Sequence, residues 1–481
     1  MLLGKKREIP YAEEIAGKRV LIVGAGRSGI GSASLLSRAG ACPVLLEQNR
    51  ERAVSAIRDT LAGEDRDKTE IIVGDLPDDA YHGLCAAVIS PGVPIDAPVV
   101  LECKTKGIPV LSEIELAYRF MKGILVAITG TNGKTTTTAL TGEVLKQHWP
   151  HGADEVFVVG NIGESFAAHA LETTDRSVTV AEISSFQLEA VDRFHARAAA
   201  ILNVTPDHLD RHHTMENYAA IKERIANRMQ SAEQGGEASD VRVLNYMDPY
   251  TRAFGMRDQR SSVIWFSSGE RPGTGLWLDG DVIRSAQAHA SSDEEILRFS
   301  ECRLKGTCNA ENIMASLGLV MALGIRPALV KRTVTEFKPV PHRLEFIASK
   351  GGVDWYNDSK ATNPDSAIQG ITAMDRPTVL IGGGYNKDAD YDMWTKCFAG
   401  RVKELVLIGE TAEAIGKSAD KNGFTAVRKA DSFDEALAYC RECAQAGDAV
   451  LLSPACASWG MFNNYEERGD RFREFVNSLA D

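Results

Sequence analysis

One stretch of the sequence has residue types and an order suited to holding phosphate, GILVAITGTNGKTTTTAL at residues 123–140. Residues 124–128 are apolar in the manner of a buried strand, small turn-forming residues follow, and Lys134 with four threonines opens a helix-compatible segment. Backbone N–H groups in such a loop and at a helix N-terminus, reinforced by the helix dipole, cradle an anion. Gly130, Thr131, Asn132, Gly133, Lys134, Thr135 and Thr136 are therefore the candidate nucleotide-binding residues. Lys134 supplies a point charge for the outer phosphates, and the Thr135 hydroxyl suits Mg²⁺. The usual P-loop has glycine five places before Gly133, where this chain has Ile128, so the loop is a variant.

The elements around this loop follow from the same patterning. Predicted strands at 156–159, 178–183 and 198–202 end in polar clusters, GNIG with Asn161, EISS with Glu182, and NVTPDH with His208. In a parallel sheet the C-terminal strand ends share one edge, and ligands bind there in open α/β folds. The three clusters are thus expected to converge on the phosphate loop, where the Glu182 carboxylate and Thr135 would suit a Mg²⁺ shell.

Upstream, KRVLIV at 18–23 precedes Gly24, Gly26 and Gly29 in a G-x-G-x-x-G turn, and a strand at 43–46 ends at Glu47. That is a Rossmann-like start with Glu47 placed for a ribose, although such turns also hold other nucleotides or none. Strands at 70–73 and 86–89 continue the alternation, the latter closed by Ser90-Pro91-Gly92, and a strand at 108–111 leads to Ser112, a predicted helix cap with Glu115 three residues on. A third unit is expected after Pro339-Val340-Pro341, with strands at 355–357, 378–381, 405–408 and 449–452 and a glycine turn at 382–384. Short β segments are expected at 263–266 and 276–278, and a solvent loop after Gln230.

The 481 residues suffice for about two to four domains. A hydrophobic fraction of 44% and a charged fraction of 25% are those of a globular protein. Lys and Arg number 54 against 66 Asp and Glu, a net charge of −12, which disfavours a nucleic-acid partner and requires a local positive site for any anionic ligand. Among the nine cysteines only Cys440 and Cys443 have C-x-x-C spacing, within a predicted helix at 433–446 and without a second pair for zinc. The odd count suits a reducing compartment. With no signal-peptide core at the start and no run of about eighteen apolar residues, a cytoplasmic protein with no membrane association is expected.

The motifs TGTNGKTT (129–136), GNIG (160–163), EISSFQLE (182–189), NVTPDHLDRH (203–212), NAEN (309–312), PHRLE (341–345), NDSKATNPDSA (357–367), GGGYNKDADY (382–391) and SPACASWGMFNNYEERG (453–469) together resemble the Mur ligases of peptidoglycan synthesis. The nearest branch is the one that adds D-glutamate to UDP-N-acetylmuramoyl-L-alanine. The resemblance implies an α/β enzyme of three domains: a Rossmann-like UDP-binding domain at 1–112, a central P-loop ATPase at 113–340, and a Rossmann-like amino-acid-binding domain at 341–481. It implies ATP and Mg²⁺ as cofactors, an acyl phosphate followed by a tetrahedral intermediate, and a monomer acting in cell-wall synthesis. Two anions must meet in that chemistry, so cations are needed to cancel their repulsion.

Residue by residue, the resemblance makes Lys134, Glu182, His208, Lys222 and Lys360 catalytic. Thr135, Glu182, His208 and Lys222 are the metal ligands, Lys222 as a carbamate formed from CO₂. Spacing alone would make Lys222 an exposed helix lysine. Asn309, Asn312, Arg343 and Asp358 join the nucleotide set, with His342 and Arg343 at a hinge. Ser90, Asn161, His208, Thr362, Lys387, Ser458, Trp459 and Tyr465 are implied substrate contacts. The chain departs from the family at Cys308, where histidine is usual, at Trp459 and Tyr465 in place of leucine and phenylalanine, and at Gln48 and Asn49. A dinucleotide oxidoreductase, suggested by the first glycine turn, leaves the GTNGKTT loop unexplained. A nucleotide switch without chemistry leaves Glu182, His208 and Lys222 unexplained.

Overall fold

Strand Arg19–Val23 is apolar from Val20 to Val23 because it is covered on both sides: Val20 and Ile22 enter one core while Leu21 and Val23 enter another. A computed structural model describes residues 10–161, 164–231, 239–286, 293–386 and 389–480. Arg19–Val23 is the centre of a five-stranded parallel sheet in the order Glu70–Val73, Cys42–Glu47, Arg19–Val23, Leu84–Ile89, Val110–Ser112. Ser112 caps helix Glu113–Phe120 as expected, its hydroxyl accepting from the Glu115 N–H at 3.4 Å.

The second sheet has nine strands. Seven neighbours run parallel in the order Gly275–Asp279, Ser262–Ser267, Val241–Asn245, Ala198–Ile201, Ile124–Thr129, Val178–Glu182, Val156–Gly160. Strands Val282–Ala286 and Glu294–Arg298 extend the Gly275–Asp279 edge, the first of them antiparallel to it. Strand Val241–Asn245 is absent from the sequence expectation because Arg242 interrupts its apolar run. The side chain is nevertheless buried, its guanidinium donating to the Ser261 hydroxyl at 2.8 Å and carbonyl at 2.8 Å and covering the Phe254 ring. Pairing of the charge with local acceptors offsets the cost of burial.

One core runs beneath both sheets, taking Val20, Ile22 and Leu45 from the first, Leu125, Ala127 and Ile201 from the second, and Ile114, Leu116 and Phe120 from the helix between them. Residues to Val204, His208–Leu297 and Glu311–Val334 accordingly make one compact unit. The other consists of Thr205–Asp207, Arg298–Ala310 and the chain from Thr335. Its six-stranded sheet has the order Glu345–Lys350, Val353–Asn357, Ala449–Leu452, Thr378–Gly383, Val402–Ile408, Val427–Lys429, parallel except at the first pair. Alternate residues again serve two cores, Val379 and Ile381 on one face and Leu380 on the other. All nine cysteines are free, and Cys440 is buried in helix Phe433–Cys443. No helix among the described residues is long and apolar enough to cross a membrane.

Candidate active site

Strand Ile124–Thr129 lies where the nine-stranded sheet reverses its order of addition, with Val178–Glu182 on one side and Ala198–Ile201 on the other. Such a switch point opens a crevice beyond the strand ends. The loop that leaves this strand reaches helix Lys134–His148 through Gly133, whose φ of 83° falls in the left-handed region. A Cβ there would stand 2.2 Å from Asn312 Oδ1, so glycine is needed for space as well as for dihedral. Asn312 in turn accepts from the Thr137 hydroxyl at 3.2 Å, which fixes helix Thr307–Ala322 against the phosphate-loop helix.

Asn203, at the end of the neighbouring strand, clamps the loop from below. Its side-chain oxygen accepts from the Asn132 N–H at 2.8 Å, its amide donates to the Asn132 carbonyl at 3.2 Å, and its own carbonyl accepts from the Thr131 N–H at 3.0 Å. Sequence reasoning left Asn203 unassigned, although it opens one of the motifs and holds the loop by three hydrogen bonds. Lys134 Nζ lies over the loop, donating to the Gly130 carbonyl at 2.9 Å and the Thr131 carbonyl at 2.7 Å. Lys222 is no surface lysine: it is 1% exposed, donates to the same Gly130 carbonyl at 2.9 Å, and lies 4.4 Å from the Tyr218 ring centre. Two ammonium groups therefore converge on one carbonyl of the phosphate loop, a concentration of positive charge in a protein of net charge −12.

Glu182 ends its strand on the same edge, 1% exposed. Asn161 binds it twice, through its N–H to the Glu182 carbonyl at 2.9 Å and through its amide to Oε1 at 3.0 Å, leaving the buried Oε2 without a hydrogen-bond partner. A buried carboxylate oxygen of this kind, at the end of the strand paired with the one that leads into the phosphate loop of the buried Thr135, fits a divalent cation with oxygen ligands. His208 holds a left-handed backbone, φ 53°, at the head of helix Leu209–His212, and its ring stands edge-on to Phe186 at 4.9 Å. His212 one turn on is buried, bonded to the Ser185 hydroxyl at 2.9 Å, and pushed down to about 4 by burial and by the cations Arg211 and Lys222. It stays neutral at physiological pH.

In the first sheet the Ser90 hydroxyl donates to the Gly24 carbonyl at 3.1 Å, holding the strand-end turn to the glycine loop. Glu47 is already engaged, by the Asn49 N–H at 3.0 Å and by Arg52 at 2.8 Å, and Arg52 also reaches the Ala25 carbonyl at 3.0 Å. Its carboxylate braces the glycine turn from within.

The second unit holds most of the remaining predicted residues. Asp358 is buried, accepts from the Leu344 N–H at 3.1 Å and the Ser453 hydroxyl at 2.8 Å, and is pushed up to about 6 by burial. His342 and Leu344 flank Arg343 with left-handed φ of 63° and 43°, so the PHRLE segment is strained on both sides of that arginine. The Asn357 amide makes a contact of 3.1 Å with His342 Nδ1 and donates to the Gly469 carbonyl at 3.0 Å. Lys360 Nζ lies 5.2 Å from the Tyr465 ring centre, Thr362 N–H donates to the Lys360 carbonyl at 2.9 Å, and Ser458 is buried beside the exposed Trp459. Asn309 is buried, its amide bonded to the Lys305 carbonyl at 2.8 Å. Lys387 lies outside the described residues.

Arg468, which lies in the SPACASWGMFNNYEERG motif and to which the sequence assigns no role, is buried at the centre of this unit. It is fully buried and donates to the Ser359 hydroxyl at 3.0 Å, the Ser359 carbonyl at 2.7 Å and the Cys456 carbonyl at 3.3 Å. It joins the loop of Lys360 and Thr362 to the loop of Ser458 and Trp459.

Residues 128–320 match the Mur ligase middle domain, and residues 342–456 match the Mur ligase glutamate ligase domain. A protein of Lachnospira eligens named UDP-N-acetylmuramoylalanine–D-glutamate ligase is 46% identical to this chain, over 97% of this chain and 100% of its own length. One of the same name from Pelotomaculum thermopropionicum is 41% identical over 97% and 99%. The chain belongs to the Mur ligase family. Among solved structures, MurC of Thermotoga maritima covers 96% of this chain and 99% of its own with a TM-score of 0.57 at 17% identity, and MurF of Acinetobacter baumannii covers 95% and 93% with 0.59 at 16%. At such identities the likeness shows a shared fold. The three sheets of this Mur ligase are the sheets of that fold, and its phosphate loop, Glu182 and Lys222 fall within the matched middle domain.

Proposed function

We propose that the chain is an ATP-dependent, ADP-forming ligase that adds D-glutamate to UDP-N-acetylmuramoyl-L-alanine during peptidoglycan precursor synthesis. The observation that carries this is identity of 38–46% along almost the whole chain to proteins of that name, including the specificity-bearing C-terminal part. The geometry supports the chemistry. The γ-phosphoryl group passes from ATP to the terminal carboxylate of the alanine, breaking the bond to ADP and forming an acyl phosphate. The amine of D-glutamate then attacks the acyl carbon, and the tetrahedral intermediate expels phosphate as the amide forms.

Lys134 is poised over the loop to exchange its carbonyl contacts for β- and γ-phosphate oxygens. Thr135 and Glu182 would hold Mg²⁺, which supplies charge neutralisation between the two anions when bound. His208 and Lys222, the latter as a carbamate, would complete a second set of oxygen and nitrogen ligands. The burial of Lys222 beside the phosphate loop supports this, because a bare ammonium there would repel Mg²⁺ whereas a carbamate would offer it oxygen ligands. Asn309, Asn312, Arg343 and Asp358 would serve the nucleotide. Lys360, Thr362, Lys387, Ser458, Trp459 and Tyr465 would serve D-glutamate, whose two carboxylates call for cations and hydroxyls. Ser90 and Asn161 would serve the UDP-muramoyl substrate. The domains are assigned to 1–112, 113–340 and 341–481, and the enzyme is placed in the cytoplasm as a monomer, a compartment that suits nine free cysteines.

The test is ADP release with UDP-N-acetylmuramoyl-L-alanine and each of D-glutamate, L-glutamate, L-alanine, L-lysine and diaminopimelate. Turnover with D-glutamate alone is expected, and preference for any other amino acid refutes the assignment. For the carbamate, Lys222→Ala should lose activity that bicarbonate does not restore; full activity in that variant removes it.

A further inference from the structure

Arg211 belongs to the NVTPDHLDRH motif, yet none of the roles above uses it. Its guanidinium makes contacts on two sheets. Toward the first sheet, Nη1 donates to the Pro91 carbonyl at 3.0 Å and Nη2 to the Val93 carbonyl at 3.0 Å. Those carbonyls belong to the turn that begins at Ser90, where the Val93 N–H closes on the Ser90 carbonyl at 2.9 Å and the Ser90 hydroxyl holds the glycine loop. Toward the second sheet, Nε donates to Glu189 Oε1 at 3.0 Å and Nη2 also meets Oε2, a two-pronged pairing with a carboxylate that is 4% exposed. The face of the guanidinium covers the Phe186 ring at 4.1 Å, and Phe186 stands edge-on to His208. The backbone closes the circuit, since the Arg211 N–H donates to the His208 carbonyl at 3.1 Å across the left-handed turn.

A planar fork committed in this way fixes distance and angle together. The junction around it is close-packed: Gly31 of helix Arg27–Arg38 passes so near Ser165 that a Cβ would stand 2.2 Å from its hydroxyl oxygen, and Gln187 donates to the buried Glu113 at 2.7 Å. We propose that Arg211 is a positioning residue that sets the separation between the Ser90–Val93 turn and His208, and so sets the length of substrate that reaches from the first sheet to the phosphate loop. This role rests on the ligase reading above, in which the UDP end lies at the first sheet and the reacting carboxylate near His208. Arg211 touches neither end. It acts on a ligand that spans both.

Spanning gives the test its form. In Arg211→Gln and Arg211→Lys, the Kd for UDP alone and for ATP alone should stay within about twofold of wild type, because each probes one end. The kcat/KM for UDP-N-acetylmuramoyl-L-alanine with D-glutamate should fall by at least about 30-fold in both, as misplacement near 1 Å costs on the order of a hundredfold. Equal losses for UDP or ATP would show local damage and overturn the proposal, as would an unchanged kcat/KM. Wild-type behaviour in Arg211→Lys alone would show that charge suffices and overturn the geometric role. Absence of wild-type turnover with this substrate pair would overturn the ligase reading itself, an outcome separate from any result with the variants.

Discussion

Glu113 follows the phosphate-loop residues in burial but not in partnership. It is 1% exposed, one oxygen accepts from Gln187 and the other has no hydrogen-bond partner. Burial pushes its carboxyl from an ordinary 4.5 up to about 7, against the opposing pull of Gln187 and Arg27. The folded state therefore holds the proton more tightly than the unfolded chain. Its contribution to stability is complete below the unfolded value of 4.5 and is lost as pH rises through about 7, for a total of about 3 kcal/mol. Glu113→Gln keeps the shape without the charge, so it should melt several degrees higher than wild type at pH 8 and at the same temperature at pH 4. Equal shifts at both pH values in a thermal melt would show that shape and not charge decides. Asparagine 203 offers a contrasting case, where neutral bonds hold a loop. Asn203→Ala removes two side-chain bonds to Asn132 and should raise the KM for ATP about tenfold while costing roughly 1–2 kcal/mol of stability.

At the level of elements, helix Arg27–Arg38 can approach strand Arg19–Val23 only because of Gly29. A Cβ there would stand 1.8 Å from the Gly24 carbonyl oxygen, which is backbone and cannot turn aside. Gly29→Ala should lose about 3 kcal/mol in denaturant unfolding, far more than a helix gains from alanine. The parallel strands were legible because burial on both faces writes continuous apolar runs, as in 20–23 and 124–128. So was the capping pair of Ser112 and Glu115. Val241–Asn245 was hidden by one buried arginine, and the edge strands past residue 280 by their mixed composition. In the site, the loop and Glu182 could be read from spacing at strand ends. Lys222, Arg211 and Arg468 could not, since a charged side chain on a helix reads as solvated until tertiary partners are known; for Lys222 only the family resemblance supplied the signal.

Across the whole molecule, the chain divides into two compact units with separate cores. Units of this kind commonly unfold as separate steps. Calorimetry should resolve two transitions, with Glu113→Gln at pH 8 raising one and leaving the other in place; a single transition that shifts as a whole would show that the units melt together. The optical properties of the tryptophans follow from the same division. Of the six, Trp149, Trp355 and Trp394 are buried, Trp265 and Trp277 are half-buried, and Trp459 is 55% exposed beside Tyr385. Red-edge emission and acrylamide quenching therefore report chiefly on Trp459, a built-in fluorophore at the loop proposed to receive the amino acid.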